Sequence, residues 1–293
     1  MESAPVIASS DILPIVEIGS VAAAAINRWT ALVDSGMNFI SVVNPQSNKV
    51  SLSAKLPGMI AKSASAPNVV LGLILTTRTT QAEVVDFLAK YPNRELAIIH
   101  RGQRSDATTI ASLLSASGNV AYQIFVTETV NQAYHSLFSG GIKVALEDGF
   151  NRGGVTANAN YGVEDFYSNL RWAHPASGYD GFGDFLMVED AEASGGPARA
   201  VAVHLTMQPD ASTDEIWVKH FISDDRVGTG NSTGKAHQAL RHLLHEVDTN
   251  PAIHPSSAIG ILRAIYAAGE SVHLGRIKAI THSHHIELIS TLL

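Results

Sequence analysis

Ile142-Lys143-Val144-Ala145-Leu146-Glu147-Asp148-Gly149-Phe150 is the stretch on which the fold turns. Its first five residues have the length and composition of a strand, and they run into two adjacent acids and a glycine. Before it, short apolar runs alternate with helical segments. After it, the alternation stops.

Upstream, Leu13–Ile18, Phe39–Val43, Val69–Leu75, Glu95–Ile99 and Ala121–Val126 read as strands. Val69–Leu75 is apolar throughout, as a strand covered on both faces must be. Between the strands, Ala22, Ala25, Ile26, Trp29 and Val33 mark one helical face that Gly36 stops, and a weaker helix lies within Leu52–Ala64. Thr80 and Glu83 form a capping box ahead of Val84, Phe87, Leu88 and Tyr91. Ser105 is the expected cap of a helix carrying Ile110, Leu113 and Leu114, and a short helix is expected near Asn131–Phe138. This alternation predicts a mostly parallel sheet.

Downstream, a helix is expected near Val163–Ala173. Three strands then follow without helices between them: Phe185–Val188, Val201–Met207 and Ile216–Ile222. Gly195-Gly196-Pro197 and Pro209-Asp210-Ala211-Ser212 supply the turns. Helices over Ala236–Val247, Ser257–Ala268 and Gly275–Leu292 end the chain. The expected architecture is a TIM-barrel-like (βα) barrel forming a single domain over residues 1–293. A hairpin-rich antiparallel insertion occupies about 181–226, and C-terminal helices about 234–293.

The 293 residues carry a formal net charge of −7, 45% hydrophobic and 16% charged residues. That balance disfavours a general nucleic-acid surface, because phosphate binding needs clustered Lys and Arg. With no cysteine, thiolate catalysis, disulfides and Cys-ligated zinc are excluded. No signal peptide and no transmembrane run is visible, so a cytoplasmic protein is expected.

Several motifs resemble an uncharacterised bacterial family known by a myxobacterial locus name, itself similar to the phage "beta protein" family. They are Pro14–Glu17, Val42–Pro45, Leu146–Phe150, Gly178–Asp184, Ala202–Thr206, His220–Asp224 and His284–Leu288. The resemblance covers nearly the whole chain. Relative to that family's pattern, a first strand is missing here, which implies an exposed sheet edge and so a homo-oligomer or an obligate partner protein. The family's association with a nuclease-like neighbour implies a role in phage defence.

In a βα barrel, chemistry gathers where strands end. Those positions offer Glu17, Asn44, Arg78, His100, Arg101, Glu128, Glu147 and Asp148, with His204 inside a strand. Glu17, His100, Arg101, Glu147, Asp148 and His204 are the catalytic candidates; Asn44, Arg78, Asp184 and His220 are the substrate-binding ones. Glu147 and Asp148 could hold a divalent cation, Mg²⁺ or Mn²⁺. His100-Arg101-Gly102 is similar to the opening motif of glycerophosphodiester phosphodiesterases, but the Glu-Asn-Thr and Glu-x-Asp that follow there are absent. Gly149, Gly153 and Gly154, and Gly228, Gly230 and Gly234 with Lys235, form loops that read as turns rather than phosphate cradles. On the helices, His242 and His245 read as a solvent-side pair, His284 as a core residue satisfied by one hydrogen bond, and His282 and His285 as peripheral. A buried Asp184 must accept N–H bonds from its own turn, pair with a base such as Arg101 or His204, or bind a cation. Two functions fit: a metal-dependent or phosphate-handling hydrolase, or a non-catalytic scaffold for a partner.

Overall fold

The computed structural model describes residues 12–150, 161–188 and 199–293. They form two compact units, one of residues 12–147 and 173–183, the other of residues 148–172 and 184–293. The Gly153, Gly154 and Gly195-Gly196-Pro197 turns lie outside the described residues.

The first unit carries a parallel sheet of seven strands. In chain order they are β1 (Ile15–Val16), β2 (Phe39–Val42), β3 (Val69–Thr76), β4 (Leu96–Arg101), β5 (Val120–Val126) and β6 (Ile142–Glu147), followed by β8 (Gly181–Asp184) beside β6. Phe39, Leu71, Leu75, Leu96 and Ile98 are fully buried, as the near-continuous apolar character of such parallel strands requires. Gly72 is dictated by close approach: a Cβ there would stand 2.7 Å from Ile40 Cγ2. Gly141, at φ +67°, lets the chain turn into β6, where a Cβ would meet Val120 O at 2.7 Å. The expected capping box forms: Glu83 N donates to Thr80 Oγ1 (3.2 Å), and Thr80 N donates to Glu83 Oε2 (2.7 Å). Ser105 does not cap the next helix (Ala107–Ser117); Asp106 holds that position, with its carboxylate committed to Arg104 at 2.8 Å.

The sheet is an open, curled half-barrel, not the closed barrel expected from the βα alternation. Closure requires the two edges to hydrogen-bond. β1 is two residues long and, among the described residues, pairs with β2 alone, and β8 adds to the far edge beside β6. After β6 the chain builds a different sheet instead of further βα units.

That second sheet is antiparallel, in the order β7 (Glu164–Ser168), β10 (Ile216–Ile222), β9 (Ala202–Met207). The β9–β10 hairpin is the expected one, its turn held by Ser212 N donating to Asp210 Oδ1 (2.8 Å). Two expectations fail here. Residues 164–168, read as helix, are the third strand, since pairing with β10 and the Phe166–Trp217 ring contact (6.0 Å) outweigh local propensity. The strand expected over Phe185–Val188 lies earlier, at Gly181–Asp184 in the parallel sheet, and residues 186–188 form a 3₁₀ turn.

One face of β9, bearing Val203, Leu205 and Met207, packs with the preceding Val201 into a core with three C-terminal helices. These are Ser232–Thr249, Ser257–Ala267 and Leu274–Leu292, contributing among others Leu240, Leu243, Leu262, Ile277 and Ile280. Burial of such side chains stabilises by about 1.5–3 kcal/mol each. No helix among the described residues is long and apolar enough to cross a membrane.

Candidate functional site

The opposite face of β9 is polar. Ala202, His204 and Thr206 alternate with the core-facing residues, and all three are buried. His204 and His220 are cross-strand partners in the β9–β10 register. Their Nδ1 atoms stand 2.7 Å apart, and His220 Nε2 stands 2.9 Å from Asp165 Oδ2 on β7. The three strands thus align a carboxylate and two imidazoles in a row, from a half-exposed Asp165 to a His204 that is 8% exposed. Phe150 and Tyr161 enclose the pair, each with its ring centroid 4.8 Å from that of His204, and Tyr161 stacks on His220 at 4.6 Å.

This row fixes the tautomers. A carboxylate can only accept, so His220 Nε2 carries a proton and donates it to Asp165. Burial pushes the His220 ring below its ordinary value, although Asp165 pulls the other way, so the ring is neutral at pH 7. Its Nδ1 is then a bare acceptor, and His204 must donate from Nδ1. The basic nitrogen of His204 is therefore Nε2, the arrangement of a general base held by a second group.

A second row runs through Asp184. Its Oδ1 accepts from Leu186 N (2.7 Å), within its own turn, and its Oδ2 accepts from His285 Nε2 (3.0 Å). Burial pushes the Asp184 carboxyl up, but the His285 charge and hydrogen bond, with the Leu186 N–H and the Tyr167 hydroxyl, hold it below the ordinary value. The base beside it is thus His285, not Arg101 or His204. His285 Nδ1 meets Thr206 Oγ1 at 3.0 Å, and His284 Nε2 donates to Thr206 O at 2.9 Å. The last helix thereby covers the edge strand of the sheet. His284 makes a second hydrogen bond, accepting from Ser256 Oγ at 2.7 Å, so it is the buried core residue expected, with one partner more.

Beside His204 lies a cavity of about 10 Å³, room for one water molecule. Its polar wall comprises His204, Lys278, Thr281 and His282, and Met187, Ala202, Leu274 and Ile277 contribute apolar wall.

The remaining candidates have their own local surroundings. Asn44 clasps β3 through its side chain, donating to Ile74 O and accepting from Ile74 N, both at 2.8 Å. Glu17 is exposed and accepts from Gln46 N, and Arg78 is exposed. His100 is fully buried, stacked on Phe125 at 4.3 Å, and burial drives its ring down to about 3. Arg101, next to it, is half-buried. Glu147 and Asp148 are half-buried, and Asp148 Oδ1 accepts from Phe150 N at 3.2 Å. Among the described residues, no three of His, Asp and Glu are grouped as metal ligands. Lys235 is no phosphate ligand: its ammonium donates to three carbonyls, those of Arg199, Val227 and Gly228. His242 pairs with the exposed Asp224 at 2.9 Å.

The sequence reading missed Asp165, His282 and His285. His204 and His220 were both candidates, and their pairing could have been found, because each lies eight residues from Ser212 at the centre of the hairpin.

Burial drives His282 and His284 from 6.5 to about 4. Between those values the unfolded chain binds protons that the folded unit refuses. Stability is therefore complete above pH 6.5 and falls as the pH drops toward 4. Denaturant midpoints at pH 7 and pH 5 are expected to differ by a loss on the order of 2 kcal/mol for each histidine at the lower pH. Equal midpoints would contradict this account of the helix–sheet contact. No family model, no curated protein and no solved structure matches the chain, so the geometry of this unit carries the functional argument alone.

Proposed function

We propose that the chain is a hydrolase in which His204 is the general base, held in one tautomer by His220 and Asp165. The observation that supports this reading is the unbroken Asp165–His220–His204 row, with contacts of 2.9 and 2.7 Å. His204 Nε2 takes a proton from the attacking water as its oxygen bonds to the ester centre. The bond to the leaving group then breaks, and the same proton passes to the departing oxygen. While His204 is an imidazolium, its Nδ1–H donates to His220, and the Asp165 carboxylate stabilises the positive charge through that ring. The cavity beside His204 has room for one oxygen atom.

Asp165→Asn tests the reading with a panel of activated carboxyl and phosphate esters. The amide can donate as well as accept, so it no longer enforces one tautomer on His220. Because Asp165 is half-exposed and water can partly replace it, turnover is expected to fall about 10-fold with folding unchanged. The other function expected from the sequence, a non-catalytic partner subunit, has a surface to offer in Val163, Phe166 and Trp172, which are exposed. Under that reading the wild-type chain turns over none of the esters, and the substitution changes nothing.

A further inference from the structure

Lys278, Thr281 and His282 occupy successive i, i+3 and i+4 positions of the last helix and so share one face, the face that walls the cavity beside His204. His282 Nε2 is buried and has no hydrogen-bond partner among the described residues, an arrangement that costs free energy unless something is bound there. Thr281 Oγ1 is committed to Lys278 O at 3.1 Å, so it shapes the wall without offering a donor. Lys278 is exposed and brings an ammonium to the rim. Among the described residues no carboxylate lines the cavity, and Asp184, a carboxylate that acts on His282 electrostatically, is already paired with His285. The wall also includes Leu274 and Ile277 from the first turn of a 19-residue helix, the end where the backbone dipole favours negative charge.

We propose that Lys278 and His282 seat an anionic oxygen of the substrate, and that the substrate is accordingly a phosphoester. This rests on His204 being the base of a hydrolase. A carboxyl ester carries no charge in its ground state for a lysine to hold, whereas a phosphoester presents one on entry. His282 donates from Nε2 to one non-bridging oxygen and Lys278 meets the charge from the open side.

The probe is inorganic phosphate added to the full chain, followed by isothermal titration calorimetry at constant ionic strength with chloride as the balance. Saturable binding in the millimolar range is expected. Lys278→Met and His282→Phe should each weaken it about 10-fold, the loss of one charge-assisted or buried donor. Lys278 is exposed, so its variant folds even if His282→Phe does not. Absence of saturable binding, or binding indifferent to Lys278→Met, overturns the phosphate seat. Hydrolysis that depends on His204 can still be observed in that case with carboxyl esters, so the two ideas fail separately. An ester panel in which turnover ignores His204 removes the hydrolase reading, and the phosphoester assignment with it, whatever phosphate does.

Discussion

Asp184→Ala is expected to lower the stability of the chain by about 3 kcal/mol, the upper end of the range for leaving a buried hydrogen-bonding group without its partner. The side chains of Asp184 and His285 are 15% and 3% exposed, so solvent cannot replace the lost carboxylate at His285 Nε2. The same change orphans the Leu186 N–H, which bonds Asp184 Oδ1 at 2.7 Å, and leaves a cavity. Asp184→Asn keeps one acceptor oxygen and the volume, and should cost less than half as much. The sign with pH follows from the direction of the shift. The folded-state carboxyl sits below its ordinary 3.8, so its contribution is complete above that value and is lost as the pH falls through the depressed one. Urea midpoints of the two variants at pH 7 read this directly. A midpoint for Asp184→Ala within experimental scatter of wild type would mean that the Asp184–His285 pair does not stabilise the fold.

The parts of the fold legible in the sequence are those governed by local rules. Val69–Leu75 announces a parallel strand because both of its faces are apolar. Thr80 and Glu83 announce a helix start because the capping box needs only three residues of separation. What was not legible depends on pairing across the chain. Glu164–Ser168 is a strand because β10 supplies a partner 50 residues later, and no local pattern marks it. The sheet stays open because β1 is too short to meet a distant edge, a property of length rather than of composition. The site divides the same way. His204 and His220 stand out as polar residues inside apolar strands, and the symmetry of their hairpin places them opposite each other. His285 escaped because hydrophobic periodicity identifies apolar faces only, and here a helix buries histidine against Thr206 and Asp184. His100 misled for the opposite reason. It ends a strand in a motif that suggests chemistry, yet Phe125, Tyr134 and Phe138 pack around it as core.

Removing His204, the base we propose, has the largest expected effect on activity. His204→Asn keeps a nitrogen donor toward His220 and most of the volume between Phe150 and Tyr161, so the sheet pairing survives. It deletes the Nε2 lone pair, and no other group in the row can take its place: His220 Nδ1 faces His204 and its Nε2 faces Asp165. General-base catalysis of this kind contributes roughly 10²- to 10⁴-fold. The deciding measurement is turnover of activated phosphate and carboxyl esters by the wild-type chain and by His204→Asn, with both shown to be folded by circular dichroism. The account predicts hydrolysis by the wild type and a fall of about 100-fold or more in the variant. Turnover unchanged within about 2-fold, a difference too small for a lost general base, would contradict it.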